Sequence, residues 1–429
     1  MKVLFIYPSN DLSVFTERRE LSPPLGILYL AAVARREDHD VKVVDMRLKD
    51  EKPNEIKRYV DSFQPDVVGI SGMTTEYISC LEIAASCKKA RPDTITVIGG
   101  PHVTFTAEEV LGESEDLDVV VRGEGEHIFL KLLDALSQAP SLDEVEGITF
   151  RHRGKIVSTG QKHPIDNLDD VPYPARDLVS LKEYNYVTML SSRGCPYRCT
   201  FCSTRLMWGS RYRARSPCNV VDEMQHISEK LGFHHIVFSD DNFTFDQARA
   251  KKICKEIIRR RLDVNWSCSA RVDNFDRELL QSMKKAGCDE IYLGIESGNQ
   301  KTLDMVKKDL SVETIRRAVK MLKEEDVIFT ASFIIGFPWE NEDDILETIR
   351  FAKEVDPKRV QFHFPAPYPG TEFRRDVRLY GSEIKPVEWE KYHASTPIVK
   401  TRIPEEKLLQ LFIEGIQMLS DDNTIIHIL

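Results

Sequence analysis

Strand-like and helical patterns alternate along almost the whole of this 429-residue sequence, and this alternation limits the folds open to it. Strands that alternate with helices form a parallel sheet covered on both faces. In the first third of the chain, the strand-like runs are Val3–Tyr7, Val41–Val44, Val67–Ser71, Ile95–Ile98 and Leu117–Val121, and the helical stretches are 24–36, 54–62, 77–89, 106–113 and 126–138. These units predict a flavodoxin-like, doubly wound α/β domain over residues 1–140.

A second alternating series begins at about residue 187 and predicts a second α/β domain over residues 187–370. Its strand-like runs are Val187–Leu190, Ile236–Ser239, Val264–Ser267, Glu290–Leu293, Phe329–Ile335 and Val360–Phe364, and its helical stretches are 217–231, 246–260, 275–286, 311–324 and 341–354. Between the two series, residues 141–186 are predicted to form a linker with a small hairpin around Arg153-Gly154. Residues 371–429 predict a short helical extension, with its helix over 405–420.

Composition and charge exclude several classes of protein. The hydrophobic fraction of 41% and the charged fraction of 30% are those of a soluble globular protein. A formal net charge of −10 argues against nucleic-acid binding, which normally shows as a basic stripe. No apolar run approaches the ~20 residues that a membrane-spanning helix needs, and the N-terminus predicts a first strand rather than a signal peptide. Nine cysteines that include a clustered motif predict a reducing cytoplasm.

Three of the cysteines are packed into a single short stretch, R-G-C-P-Y-R-C-T-F-C-S. Cys195, Cys199 and Cys202 have the spacing C-x3-C-x2-C. Three thiolates this close can each bind one iron of a cubic iron–sulfur cluster and leave the fourth iron open for a small molecule. Structural zinc sites instead use two separated C-x2-C pairs, and no fourth Cys or His stands at zinc-like distance here. The stretch therefore predicts a [4Fe-4S] cluster.

The stretch C-P-Y-R-C-T-F-C resembles the cluster loop of the radical S-adenosylmethionine (SAM) superfamily, including the aromatic Phe201 before the last cysteine. The resemblance implies that the open iron binds the amino and carboxylate groups of SAM, with Phe201 near its adenine. It implies reductive cleavage of SAM to methionine and a 5′-deoxyadenosyl radical, which abstracts a hydrogen atom from substrate. For the second domain it implies a (βα)6 partial TIM barrel, with the cluster loop after the first strand.

Further motifs in the second domain match places where this superfamily binds SAM. The matching stretches are F-S-D-D-N-F-T, S-A-R-V-D, G-I-E-S-G-N-Q-K-T-L-D-M-V-K-K and I-I-G-F-P-W-E. The resemblance implies that Asp240 and Asp241 contact the SAM amino end, Arg271 its carboxylate or ribose, Glu296 and Ser297 its ribose, and the backbone of Gly336 and Phe337 its adenine. Three structural alternatives stay open: a helix N-cap for either aspartate, an ordinary salt bridge for Glu296 and a Gly-Pro turn at Gly336.

The first domain resembles the cobalamin-binding domain that precedes many radical SAM domains. The matching stretches are P-P-L-G-I-L-Y-L-A, P-D-V-V-G-I-S, I-G-G-P-H-V-T and V-V-R-G-E-G-E. Doubly wound sheets bind ligands at the carboxyl ends of their strands. The resemblance places cobalamin there, against Ser9, Gly72, Met73, Thr74, Gly99, Gly100, His102, Gly123, Glu124 and Gly125. The motif D-x-H-x-x-G, whose His binds cobalt in other cobalamin domains, is absent, so His102 stays open between a turn residue and a cobalamin contact.

The resemblance covers residues 1 to about 375 and implies a cytoplasmic radical SAM enzyme. Its leading interpretation is cobalamin-dependent methyl transfer to an unactivated carbon, or to phosphorus, of a small metabolite. A second interpretation keeps the radical chemistry without cobalamin, for a dehydration, epimerisation or rearrangement, and a third is a non-catalytic cobalamin or redox sensor. The implied partners are a small-molecule substrate and an electron donor such as flavodoxin or ferredoxin, with no nucleic acid and no membrane span.

Overall fold

A computed structural model describes residues 1–9, 21–138, 141–161, 163–420 and 425–427 of the chain. The chain forms two compact units. The first unit comprises Met1–Asn185 together with Glu388–Lys391, and the second comprises Tyr186–Val387 and Tyr392–Leu429. None of the helices in the described ranges has the length and hydropathy needed to span a membrane.

The strands and helices follow the alternation of the sequence. The strands are β1 (Lys2–Tyr7), β2 (Asp40–Asp45), β3 (Val67–Ser71), β4 (Ile95–Gly99), β5 (Val119–Val121), β6 (Ile148–His152), β7 (Lys155–Ser158), β8 (Val187–Met189), β9 (Ser192–Arg193), β10 (Arg213–Ala214), β11 (His235–Phe238), β12 (Asn265–Ala270), β13 (Cys288–Glu296), β14 (Phe329–Ile334), β15 (Arg359–His363) and β16 (Ile425–His427). The α-helices are α1 (Leu25–Arg36), α2 (Lys57–Phe63), α3 (Tyr77–Ala90), α4 (Pro101–Glu113), α5 (Gly125–Gln138), α6 (Thr204–Trp208), α7 (Pro217–Leu231), α8 (Gln247–Arg260), α9 (Arg277–Lys285), α10 (Gln300–Met305), α11 (Val312–Glu324), α12 (Glu342–Val355), α13 (Glu372–Asp376) and α14 (Glu405–Ser420).

The first unit contains a seven-stranded sheet in the order β2-β1-β3-β4-β5-β6-β7. Its first five strands are parallel, in the doubly wound order of flavodoxin-like domains, as the sequence predicts. Both faces are covered: Val3 and Phe5 pack in one apolar cluster and Leu4 and Ile6 in the other. The hairpin placed in the linker by the sequence analysis adds β6 and β7 to this sheet as antiparallel strands. Its Thr149 and Phe150 are buried, and this burial is why the hairpin belongs to the first unit.

One helix of the first unit begins earlier than its apolar pattern predicts. The predicted stretch was 106–113, whereas α4 begins at Pro101, directly after Gly100 with a φ of 112°. Proline suits the first position of a helix because its missing N–H would have no partner there. The backbone at Thr106 departs from helical geometry, with a φ of −128°. This break interrupts the helical periodicity, so the pattern marked only the second half of the helix.

The second unit contains a curved parallel sheet in the order β16-β15-β14-β13-β12-β11-β8. Strands that follow one another along the chain are neighbours, and β8 and β16 form the two open edges, as in a partial barrel. Its interior includes the packed rings of Phe238, Phe243 and Trp266. The predicted helix over 405–420 is present as α14, and the tail also supplies β16, which pairs with β15.

Candidate active site

The three clustered cysteines lie in a loop between β9 and α6, and the backbone of this loop is tightly held. Gly194 begins the loop with a φ of 90°, and a Cβ at this position would lie 2.4 Å from the carbonyl oxygen of Arg211. Only glycine fits such a close approach. The N–H of Thr200 donates to the carbonyl of Val306 at 3.0 Å, and the carbonyl of Thr200 accepts the N–H of Phe373 at 2.8 Å. The loop is therefore anchored to two later segments of the second unit.

A cavity of about 300 Å³ lies against the three thiols, within the partial barrel. Its wall is formed by the cluster loop and the start of α6, by strands β12 to β15, and by the segments that follow β11, β12 and α10. They are Cys195, Tyr197, Cys199, Phe201, Cys202, Thr204, Asp241, Asn242, Ser269, Ala270, Arg271, Tyr292, Leu293, Gly294, Glu296, Lys308, Thr330, Ser332 and Gln361. Parallel barrels place their chemistry at the carboxyl ends of the strands, and this cavity has that position.

The thiols around the cavity fit an iron–sulfur cluster. Burial raises the pKa of Cys199 to about 11 and also raises the pKa of Cys195 and Cys202, so the thiols stay protonated at neutral pH until a metal displaces the proton. In the described parts of the chain, no three His, Cys, Asp or Glu residues are grouped to hold one metal ion. A cubic cluster requires a different arrangement, because each thiolate binds a different iron.

Glu296 lies at the end of β13 and forms a buried ion pair inside the cavity. Its carboxylate Oε1 is 2.7 Å from the ammonium of Lys308, and both residues are less than a tenth exposed. The strand register shifts between Gly294 and Glu296, and Glu296 has a φ of 71°, which is rare outside glycine. A Cβ at Gly294 would lie 2.5 Å from Glu296 Oε1 and 3.2 Å from Lys308 Nζ. Gly294 therefore makes room for the pair.

Arg271 presents a guanidinium with spare hydrogen-bonding capacity. Its group stacks over the ring of Tyr197 at 3.8 Å from the ring centroid. Nε donates to Asp273 at 2.8 Å and Nη2 donates to the carbonyl of Asp309 at 3.0 Å. Nη1 is buried and has no hydrogen-bond partner among the described residues. A buried donor without a partner is costly, and a ligand carboxylate in the cavity would satisfy it.

The two neighbouring aspartates that the sequence singled out have different surroundings. Asp240 is buried and accepts hydrogen bonds from the backbone and hydroxyl of Ser191 and from the hydroxyl of Ser192. Asp241 lines the cavity and accepts a hydrogen bond from Thr204 Oγ1 at 3.0 Å. Burial raises the pKa of Asp241 to about 6, so its carboxylate is ionised at neutral pH. Of the two, Asp241 lines the cavity, and contact of either aspartate with the SAM amino end stays a prediction.

The remaining predicted SAM residues, Ser297, Gly336 and Phe337, lie outside the residues that line the cavity. Ser297 is fully buried, and its hydroxyl hydrogen-bonds to Thr348 Oγ1 at 2.9 Å. The N–H groups of Gly336 and Phe337 both donate to Glu340 Oε2, at 2.8 and 2.9 Å. Burial raises the pKa of Glu340 to about 7. The contacts of Ser297 with the SAM ribose, and of Gly336 and Phe337 with its adenine, stay predictions.

Some cavity residues were not predicted as contacts, chief among them Lys308 and Tyr197. Tyr197 lies inside the cysteine stretch and Lys308 inside the long match that begins at Gly294. In both stretches the resemblance implies SAM contacts for other residues. Lys308 stands between two non-glycine residues with positive φ, Lys307 at 54° and Asp309 at 53°. No sequence pattern predicts that turn, so only the structure reveals that its side chain enters the cavity.

In the first unit, the predicted cobalamin residues gather at the carboxyl edge of the parallel strands. Gly72 and Gly100 are in close contact, because a Cβ at Gly100 would lie 2.6 Å from the carbonyl of Gly72. Met73 is 52% exposed, and its N–H donates to the carboxylate of Glu76, while Thr74 is buried beside it. Above Gly123 there is open space, since an added Cβ would meet no atom within 4 Å. Gly72 and Gly100 thus bring two backbone segments together at this edge, while Gly123 is unobstructed.

The other predicted residues of this edge make contacts within the first unit. His102 lies in the first turn of α4, buried, with its ring stacked on Tyr77 at 4.4 Å and edge-on to Trp389 at 4.6 Å. The carboxylate of Glu124 accepts the N–H of Ile165 at 3.0 Å. Gly99 ends β4 and Gly125 begins α5, while Ser9 follows β1 and accepts a hydrogen bond from Ser79. Direct contact of these residues with cobalamin stays a prediction.

Comparison with known proteins identifies both units. The radical SAM superfamily profile matches residues 189–352, and the B12 binding domain profile matches residues 13–133. An uncharacterised methyltransferase of Pyrococcus horikoshii is 35% identical over 94% of this chain and 88% of its own length. The anaerobic magnesium-protoporphyrin IX monomethyl ester cyclase of Rubrivivax gelatinosus is 31% identical over 93% of this chain and 74% of its own.

The fold also matches a solved structure along most of its length. The radical SAM methyltransferase TsrM from Kitasatospora setae superposes with a TM-score of 0.79 at 17% identity, covering 97% of this chain and 88% of TsrM. At this identity the match establishes the arrangement of elements and no more. Together, the two profiles and the full-length relatives show that the chain belongs to the radical SAM superfamily, with a B12 binding domain ahead of its radical SAM domain.

Proposed function

We propose that this protein is a cobalamin-dependent radical SAM methyltransferase that acts on an unactivated carbon, or on phosphorus, of a small metabolite. The observation that carries the proposal is the pairing, on one chain, of a thiol-lined cavity in the radical SAM unit with a B12 binding domain. The methyltransferase of Pyrococcus horikoshii supports it, since it matches nearly the whole chain.

The cavity residues supply the positions that SAM needs. When bound, the cluster supplies the electron that cleaves SAM to methionine and the 5′-deoxyadenosyl radical, and cobalamin carries the methyl group. Arg271 Nη1 receives the SAM carboxylate, and the Asp241 carboxylate receives the ammonium. Glu296 accepts hydrogen bonds from the ribose hydroxyls, with Lys308 holding its carboxylate. SAM bound in the cavity would displace water that otherwise screens these charges.

Reduction of a cluster here requires an electron donor, and the surface charge beside the cluster loop fits an acidic one such as flavodoxin or ferredoxin. Residues 187–221 contain six arginines and no Asp or Glu, although the chain as a whole carries a net charge of −10. Arg198, Arg205 and Arg211 are exposed. Complementary charge of this kind steers a partner into its encounter. The proposed electron donors and small-metabolite substrates occur in the cytoplasm, so the proposal places the protein there.

The experiment that tests the proposal follows a deuterated methyl group. Protein purified without oxygen, with hydroxocobalamin supplied and the cluster reconstituted, is incubated with a strong reductant and SAM that carries a trideuterated methyl group. We expect S-adenosylhomocysteine, 5′-deoxyadenosine and an extracted cobalamin that carries a trideuterated methyl group in place of the hydroxo ligand. Tight cobalamin binding without any methyl transfer from SAM would overturn the proposal.

A second candidate reaction is oxidative ring closure on a cyclic or pigment-like substrate. The 31% identity to the Rubrivivax cyclase favours it, since that relative also matches most of this chain. A ring-closing enzyme would form 5′-deoxyadenosine without S-adenosylhomocysteine, so the ratio of the two products separates the reactions. Formation of 5′-deoxyadenosine by protein that retains no cobalamin would instead favour a cobalamin-free dehydration, epimerisation or rearrangement.

A further inference from the structure

The short segment between α10 and α11, residues 306–309, is held in an unusual backbone conformation against the cavity. Lys307 and Asp309 both have positive φ, at 54° and 53°. Non-glycine residues in this conformation are strained and persist only where the surroundings over-determine them. Two contacts, one to the cluster loop and one to the cavity wall, do so here. The carbonyl of Val306 accepts the N–H of Thr200 in the cluster loop, and the carbonyl of Asp309 accepts Arg271 Nη2.

This conformation aims Lys308 into the cavity beside the thiols. The N–H of Lys308 donates to the carbonyl of Leu303 at 2.9 Å, which fixes the backbone at the residue itself. The side chain is only 8% exposed, and its ammonium is paired with Glu296 at 2.7 Å. Lysine is rarely buried to this degree. A strained turn that serves to bury one cation points to a role for that charge.

The other cation of the cavity wall, Arg271, differs from Lys308 in its partner. Its carboxylate partner Asp273 lies outside the lining, whereas the Lys308 partner Glu296 is part of it. The Arg271 guanidinium donates to both carboxylate oxygens of Asp273, at 2.8 and 3.3 Å, so its charge is shared with a carboxylate outside the lining. The anionic side chains of the lining are Asp241, Glu296 and the three thiolates that would hold a cluster. A cluster that accepts an electron adds one more negative charge to this set. Lys308 and Arg271 both share the cavity wall with those thiolates, and Lys308 is the one whose ion-pair partner also lies within the lining.

We propose that Lys308 is a positioning residue that acts as a fixed counter-charge for the reduced cluster, raising its reduction potential while holding Glu296 in place for SAM. The inference rests on the proposed function, because it assumes the cluster. Charges and hydrogen bonds near the sulfurs are established determinants of cluster potential. A buried cation favours the more negative, reduced state, and it does so more strongly in the low dielectric of a cavity than it would in water.

The test compares two variants that differ only in the Lys308 charge. In Glu296→Gln the lysine remains and its partner is a neutral amide. In the double variant Glu296→Gln with Lys308→Met, both side chains are neutral. The midpoint potential of the reconstituted, SAM-free holoenzyme is measured by an EPR-monitored redox titration. At a fixed applied potential, we expect the ratio of reduced to oxidised cluster to be at least about tenfold lower in the double variant, which corresponds to about 59 mV for one electron. The midpoint potential of Lys308→Arg alone should stay close to that of the wild type, because the charge is kept.

Iron and sulfide content distinguish the possible failures. Equal potentials in two variants that both hold a full cluster would overturn the role of Lys308 and leave the proposed function intact. A wild-type protein that holds no cluster would overturn the proposed function and this inference with it. If either glutamine variant does not assemble the cluster, wild type and Lys308→Met, titrated side by side under the same conditions, provide the comparison. An unchanged potential in that pair would also overturn the proposal.

Discussion

Replacing Glu340 by glutamine tests how the turn at Gly336 and Phe337 is held. Glu340 is fully buried, and its carboxylate accepts three hydrogen bonds, from the N–H groups of Gly336 and Phe337 and from Thr302 Oγ1. Burial raises its pKa from 4.5 in the unfolded chain to about 7 in the fold. Glutamine keeps an oxygen acceptor for the two N–H groups and has no proton to lose at neutral pH.

The sign of the effect follows from proton linkage. A carboxyl group whose pKa is higher in the folded protein stabilises the fold fully below its unfolded pKa, and this contribution is lost as the pH rises through about 7. With these two pKa values, linkage gives a loss of about 2 kcal/mol in the free energy of unfolding between about pH 5.5 and pH 8. Glu340→Gln should lack this loss, so its stability relative to the wild type should rise with pH.

The assay is urea unfolding of the cluster-loaded protein at the two pH values, followed by tryptophan fluorescence. Trp339 lies next to Glu340 in sequence and is 3% exposed, so its emission reports on this part of the second unit. Asp343→Asn is the matched control, because it removes an exposed carboxyl from the first turn of α12. Parallel pH dependence in wild type and Glu340→Gln would refute the argument that burial holds Glu340 protonated near neutrality.

Three further predictions concern the cluster, the SAM pocket and the electron donor. Cys199→Ala should lose both the cluster absorption and 5′-deoxyadenosine formation, while Cys218→Ala, which removes an exposed cysteine outside the triplet, should keep both. Gly294→Ala forces a Cβ to within 2.5 Å of Glu296 Oε1, so the affinity for SAM should fall at least about tenfold at unchanged iron content. This affinity is measured by the change that SAM causes in the cluster EPR signal, and Gly112→Ala, whose Cβ would have no neighbour within 4 Å, is the control. Arg198→Glu combined with Arg205→Glu should raise the KM for reduced flavodoxin about tenfold at low salt and leave dithionite-driven turnover unchanged; an equal loss with both reductants would contradict donor docking at these arginines.

The strands and most helices could be predicted from the sequence because buried parallel strands read as short, continuous apolar runs. Residues 67–71 and 217–231 were predicted with the bounds that β3 and α7 have in the structure. The α4 helix was predicted too short, since its first turn rests on Pro101 and a glycine with positive φ rather than on apolar periodicity. Periodicity reports which face is buried, and it carries no information about caps and kinks.

The site was predictable to the level of motifs but not of individual contacts. The cysteine spacing and the stretch around Glu296 both fall on the cavity wall, to which Tyr292, Leu293, Gly294 and Glu296 of β13 contribute. The register shift between Gly294 and Glu296 breaks the alternation of faces, so a period of two does not predict this set. Both aspartates follow the end of β11, where the backbone is no longer a strand and side chains do not alternate between two faces. The sequence therefore does not predict which of Asp240 and Asp241 faces the cavity. The placement of the Lys308 side chain in the cavity depends on the positive φ angles of Lys307 and Asp309, which the sequence does not reveal.

The ion pair of Glu296 and Lys308 answers the question that the sequence left open about this glutamate. A salt bridge and a ligand contact were alternatives for Glu296, yet the structure shows an ion pair whose two members both line the cavity. Buried ion pairs are a poor source of stability, because desolvation offsets most of their attraction and apolar replacements are often no worse. Stability therefore does not account for the bulge at Gly294 and the strained turn at Lys308, and the charges that they place beside the thiols are explained by the chemistry of the cavity.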